Sequence, residues 1–138
     1  MENQFVPYRL SRKLKEKGFD EPCLTNYSID EDLQPINKDF FIQNSMFARK
    51  KFSKKVCTAP LWQQAVDWFS TKHNLDIETC INWRWKDENQ EKSIKIYSFT
   101  ISQVIGTTLS FDGGKELNQY KTRIEAIEKA IEYALTLI

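Results

Sequence analysis

Five cations and two aromatic rings fall within Met46–Val56: Arg49, Lys50, Lys51, Lys54 and Lys55, with Phe47 and Phe52 among them. Cations neutralise phosphates and aromatic rings stack on unpaired bases, so this run is the candidate nucleic-acid-binding site. Arg9, Arg12, Lys13, Lys15 and Lys17 could join it in one positive face. The competing use is structural. Lysines keep a surface soluble while Phe47 and Phe52 pack inward. A net charge of +1 favours that use, because nucleic-acid proteins are commonly far more basic. Trp83 and Trp85 share one side of an alternating stretch and could stack bases if that side were open. The same-side Ile77 and Ile81 point instead to a core role.

No catalytic set is readable. A Ser or Cys nucleophile needs a base, and His73 is the sole histidine. It ends a helical pattern, where the carbonyl-rich terminus favours a packed or capping imidazole. Gly113-Gly114-Lys115 lacks the upstream glycine and following hydroxyl of a phosphate loop, and reads as a turn. Asp30-Glu31-Asp32 lacks the further ligands and the glycine of a calcium loop, and reads as solvated charge. Cys23, Cys57 and Cys80 are odd in number and widely spaced, so they form neither a disulfide framework nor a zinc pair. They read as free thiols of a reducing compartment. No metal site and no cofactor follow from these residues.

The elements that must position these residues begin with a basic helix over about 7–17. Pro7 suits its first turn, and Gly18 its left-handed stop, with Leu14 and Phe19 as the apolar pair of a Schellman ending. Residues 22–29 form a short strand, 30–38 a loop, and Phe40-Phe41-Ile42 a second short strand. A minor alternative makes 43–57 another helix. The surest helix spans about 60–73, with Pro60 near its first position, Thr58 or Ala59 as its cap and Asn74 as its stop. Leu75–Lys86 alternates apolar and polar residues, as a strand with one buried face does. Asp87–Lys92 is a turn, and Ser93–Ile101 carries apolar groups on both faces, as a central strand does. Val104–Phe111 adds a strand, and Asp112-Gly113-Gly114 a turn. The last helix runs from about 123 to the C-terminus, with Thr122 and Glu125 as a capping box and Glu125–Lys129 ordered for an i,i+4 pair.

With 41% apolar and 13% aromatic residues, the chain can bury a core without staples. We expect one α+β domain over 1–138: a small antiparallel sheet of three to five strands with helices packed on one face. The N-terminus shows no signal-peptide pattern, and no stretch approaches the roughly 18–20 apolar residues of a membrane helix. A cytoplasmic protein with no membrane partner is the expectation.

Several stretches together resemble a family of small uncharacterised proteins encoded in bacterial chromosomes and prophage regions. They are Phe5-Val6-Pro7-Tyr8, Leu14-Lys15-Glu16-Lys17-Gly18-Phe19-Asp20-Glu21-Pro22-Cys23, Ala59-Pro60-Leu61-Trp62-Gln63-Gln64-Ala65 with Asp67-Trp68-Phe69, and Tyr120-Lys121-Thr122-Arg123 with Glu125-Ala126. Residues 24–57 match less well, and Arg9 and Arg12 depart from the family's pattern. The resemblance implies no activity, cofactor or catalytic residue. It implies a mobile-element accessory protein inside a bacterial cell. The expected role is a non-enzymatic protein-interaction module, presenting an exposed apolar patch to a protein partner. The alternative is a DNA- or RNA-binding protein using 47–55. An enzyme would need a concave pocket of converging polar groups, for example around His73. The oligomeric state is not legible.

Overall fold

The computed structural model describes residues 2–48, 55–85, 93–105, 108–112 and 120–138. The expected turns at 87–92 and 113–114 lie outside these described residues. By its contacts the chain divides into two compact units, Met1–Trp68 with Leu137–Ile138, and Phe69–Thr136.

In the first unit, helix α1 spans Tyr8–Glu16, and Pro7 sits just before it as the N-cap. The Pro7 carbonyl accepts from the N–H groups of Leu10 and Ser11, so the proline starts the helix without needing a donor of its own. Leu10 and Leu14 form the buried stripe. At the other end Gly18 takes φ +94°. Phe19 N–H returns to Leu14 O at 2.9 Å and Gly18 N–H to Lys15 O at 3.0 Å, the paired bonds of a Schellman stop. Both Leu14 and Phe19 are buried.

Strands β1 (Thr25–Ser28) and β2 (Lys55–Ala59) pair antiparallel, with Asn26 opposite Thr58 and Tyr27 opposite Cys57. The β1 side away from β2 meets an irregular stretch. Gln34 N–H donates to Asn26 O, Asn37 N–H to Leu24 O, and Cys23 and Ile42 exchange both backbone bonds. Phe40-Phe41-Ile42 is therefore not a strand: only Ile42 bridges, and Phe40 and Phe41 are exposed. Nor do the described residues of 43–57 form an α-helix. They begin with a 3₁₀ turn, Asn44–Ala48, and end in β2. The strand has a local cause. Val56 and Thr58 are β-branched and favour extended backbone, and Pro60 ends the run.

Helix α2 (Trp62–His73) therefore starts two residues after Pro60, and Thr58 and Ala59 serve β2 rather than capping. The Gln64 side chain closes the helix start by accepting from Leu61 N–H at 2.9 Å. Trp68 packs edge-on to Phe19, with ring centroids 5.5 Å apart. Asn74, at φ +55°, ends the helix as expected.

In the second unit, β3 (Leu75–Trp85), β4 (Ser93–Ile105) and β5 (Thr108–Asp112) form an antiparallel meander with β4 central. Ile96, Ser98, Phe99 and Ile101 of β4 are buried, so both of its faces contribute to the core. Helix α3 (Arg123–Ala134) stops short of the expected C-terminal end, with Thr136 N–H turning back to Tyr133 O, and packs on β3 and β4 with Ala126, Ala130, Ile131 and Ala134 buried. The small alanines permit close approach. The Thr122–Glu125 capping box is formed in both directions. That use takes Glu125 away from the expected i,i+4 pair, and Lys129 bonds Glu132 instead, at 3.1 Å.

The architecture is α+β, but its strands form two sheets, β1–β2 and β3–β4–β5, rather than one sheet of three to five strands. Helix α1 packs on β2 while α3 packs on β3 and β4, so the helices do not line one face of a common sheet. Within the first unit both edges of β1 are taken, one by β2 and the other by the irregular stretch from Leu33 to Ile42.

Candidate functional site

Two surfaces of the first unit are the candidate sites. The basic one is organised by α1. Arg9, Arg12, Lys13 and Lys17 are exposed on it, while Lys15 is half-buried. The Lys15 ammonium donates to Val56 O at 2.6 Å and lies 5.4 Å from the centre of the Phe47 ring. A charge-assisted bond and a cation–π contact thus hold the same ammonium. Phe47 lies in the 3₁₀ turn and Lys55 opens β2, both half-buried. Arg49, Lys50, Lys51, Phe52 and Lys54 lie outside the described residues. The two described ends of the basic run therefore meet one lysine of the basic helix. Lys15 was expected only as one cation among five, because its reach across to Val56 has no local sequence signal.

Next to this lies an open hollow of about 450 Å³ lined by Tyr8, Arg9, Arg12, Lys13, Glu16 and Glu31. Tyr8 is fixed edge-on to Tyr27 at 5.6 Å, and the Arg12 guanidinium lies 6.0 Å over the Tyr8 ring. Arg12 also pairs with Glu16 at 3.7 Å. Two carboxylates among three cations moderate the positive potential. Asp30, Glu31 and Asp32 are all exposed, in keeping with solvated loop charge.

The apolar surface is carried by Phe40 and Phe41, which are 46% and 63% exposed. The span bearing them is fixed on both sides. Asn37 N–H donates to Leu24 O, Asp39 N–H donates to the Asn37 side chain at 3.0 Å, and Ile42 is locked to Cys23. The two rings are thus presented outward from a short tethered stretch. Their apolar character reads as strand in the sequence; only the partners of Leu24 and Cys23 reveal the exposure.

The remaining candidates stand apart from these two surfaces. His73 closes α2 with its ring 6.2 Å from that of Phe69, one turn back. Burial pushes the Cys23 thiol up to about 11 and the Cys57 thiol up to about 12, so both stay protonated at neutral pH. Cys80 is exposed on β3. Among the described residues no three His, Cys, Asp or Glu side chains gather as a metal group. Ile81 is 41% exposed, which corrects its expected place in the core. The surroundings of the Trp83 and Trp85 side chains lie outside the described residues. Among the described residues, no helix is long and apolar enough to cross a membrane.

Set against family models, curated proteins and solved structures, the chain finds no match.

Proposed function

We propose that this protein is a non-enzymatic interaction module that docks a protein partner through Phe40 and Phe41. The observation that carries the reading is two adjacent phenylalanines held open to solvent on backbone tethered at both sides. Together they offer about 200 Å² of aromatic surface, given the size of a phenylalanine side chain. Rigid, exposed aromatic anchors are the residues that carry energy at protein interfaces. The resemblance to prophage-encoded proteins supplies the context, an accessory role in the cytoplasm of a bacterium. The test is affinity capture from host cells with wild type and with Phe40→Ser/Phe41→Ser. A protein recovered by the wild type and lost with the variant supports the reading. Equal recovery by both sinks it.

A second reading, DNA or RNA binding, is favoured by one observation: Lys15 holds both described ends of the basic run against the cationic helix α1. On this reading Arg49, Lys50, Lys51, Lys54 and Lys55 contact phosphates and Phe47 and Phe52 meet bases. Binding to a single-stranded oligonucleotide should fall steeply with salt. It should vanish in Lys50→Glu/Lys51→Glu/Lys54→Glu. No binding at about 50 mM salt, where such contacts are strongest, removes this reading.

A further inference from the structure

We propose that the hollow between α1 and the turn after β1 binds a small phosphorylated amine. The phosphate sits on Arg9, Arg12 and Lys13, and the ammonium sits on Glu31. The site is separate from Phe40 and Phe41 and uses no residue of the run 49–54.

All sides of the hollow belong to the first unit. Arg9, Arg12, Lys13 and Glu16 recur at i, i+3, i+4 and i+7, so they share one face of α1. Leu10, Ser11 and Leu14 are buried on the other side of the helix. Glu31 comes from a different element, the turn that follows β1. That turn is closed by Ser28 N–H to Asp32 O and by Glu31 N–H to Ser28 O, both at 3.0 Å. The two walls are tied to each other through one acceptor. Ser11 Oγ of α1 and Tyr27 OH of β1 both donate to Val6 O, at 2.9 and 2.8 Å. Tyr8 also packs edge-on to Tyr27. A site whose walls are already fixed gives up little freedom when a ligand binds. A volume of about 450 Å³ is ample for a small molecule.

The lining selects the ligand. Two guanidiniums and an ammonium offer forked and point donors to phosphate oxygens. Arg12 already pairs with Glu16, but weakly. The contact is 3.7 Å long and exposed, with arginine before glutamate, the poorer i,i+4 order. A phosphate can displace it. Among the described residues Lys13 and Glu31 are in no ion pair. Two carboxylates in the lining oppose a ligand that is negative throughout. A ligand with an ammonium at its other end turns one of them to use. Glu31 has φ +66°, a left-handed backbone that glycine or asparagine adopts more easily. Backbone preference therefore gives no reason for a glutamate there, whereas pairing with an ammonium does.

The test is a heteronuclear NMR titration of the full chain at about pH 7.5, where a phosphomonoester is mainly a dianion. O-Phosphoethanolamine is the probe, and ethyl phosphate, which lacks the ammonium, is its control. With about eight non-hydrogen atoms the probe should bind at about 1–10 mM. Shifts should map to the amides of α1 and of the Ser28–Asp32 turn. Ethyl phosphate should bind about two- to five-fold more weakly, the worth of one exposed ion pair. Arg9→Gln/Arg12→Gln should weaken both ligands at least about ten-fold, as loss of charge-assisted bonds does. Glu31→Gln should keep ethyl phosphate binding and erase the preference for the amine. Arg9, Arg12 and Glu31 are exposed, so these variants should melt as the wild type does. Lys50→Glu/Lys51→Glu/Lys54→Glu should still bind the probe. Loss of binding in that variant would assign the phosphate to the basic run and overturn the proposal. So would no shift by about 50 mM probe, undiminished binding by the double arginine variant, or an amine preference that survives Glu31→Gln.

Discussion

The first unit is held by side chains that reach main chain, the second by a self-satisfying sheet. In the first, Tyr27 OH and Ser11 Oγ both donate to Val6 O, at 2.8 and 2.9 Å. Thr25 Oγ1 donates to Gln34 O, Gln43 Nε2 to Asp20 O, and Gln64 Nε2 to Pro22 O. Asn44 does this twice, donating to Phe19 O at 2.7 Å and accepting from Thr58 N–H at 2.9 Å. Short elements joined by irregular backbone leave many polar groups to satisfy, and buried ones must find partners. In the second unit the β3–β4 ladder pairs the facing backbone of the two strands without interruption from Leu75 to Trp85. The lesson is that the two units should fail differently: the second by cavities, the first by lost tethers.

The largest effect should come from a cavity in the second unit. Phe99 is buried and stacks on Tyr120 with centroids 6.1 Å apart. Phe99→Ala should cost about 3–5 kcal/mol in urea unfolding. A cost below roughly 1 kcal/mol would mean that the sheet face is not packed as described.

Alkaline pH should strike the first unit, because both buried thiols sit there. Their folded pKa values, about 11 and about 12, stand above the ordinary 9.0 of an exposed thiol. Their contribution is therefore complete below about pH 9 and lost as pH rises toward those folded values. At pH 10 the unfolded chain has ionised most of both thiols and the folded chain few. Stability should fall on the order of 3 kcal/mol from pH 8 to pH 10, at about 1.4 kcal/mol per thiol. Cys23→Ala/Cys57→Ala should flatten that limb in melts across the range. An unchanged slope would show that the limb has another origin.

Asn44→Ala comes next. It leaves Phe19 O and Thr58 N–H unpaired, and should cost about 2–3 kcal/mol with little cavity term. Asn44→Asp would discriminate further: it keeps the acceptor for Thr58 N–H but loses the donor to Phe19 O. A neutral Asn44→Ala would remove the contrast between the units.

That contrast also explains what could be read in advance. Helix α3 and the β3–β4 pair are legible because their signals are local and periodic: Thr122 with Glu125, and apolar–polar alternation on either side of a polar stretch of sequence. The Gly18 stop is legible for the same reason. Strand β2 escapes because it is five residues long and its partner β1 lies far off in sequence. Pro60 adds to the difficulty, since it suits a helix start and a strand end equally well. Phe40 and Phe41 look like strand residues; only the pairing of Ile42 and Asn37 with Cys23 and Leu24 leaves them outside. The tether by Lys15 depends on tertiary approach alone. Ile81 follows the alternation of β3 but is exposed, so periodicity marks its face and not its cover.

The smallest effect sharpens the comparison at the helix ends, where the units should behave alike. Gly18 has φ +94° and nothing within 4 Å of where a Cβ would stand. An L-alanine there meets backbone strain but no clash, so Gly18→Ala should cost about 1 kcal/mol. The opposite enantiomer separates strain from packing. D-alanine prefers positive φ and narrows the unfolded ensemble, so Gly18→D-Ala, made by peptide ligation, should stabilise by about 0.4–1 kcal/mol. Thr122→Ala in the second unit should cost about 1 kcal/mol by releasing Glu125 N–H from its cap at 3.1 Å. A D-alanine variant less stable than the L-alanine one would show that the turn at Gly18 is held by something other than its backbone hand.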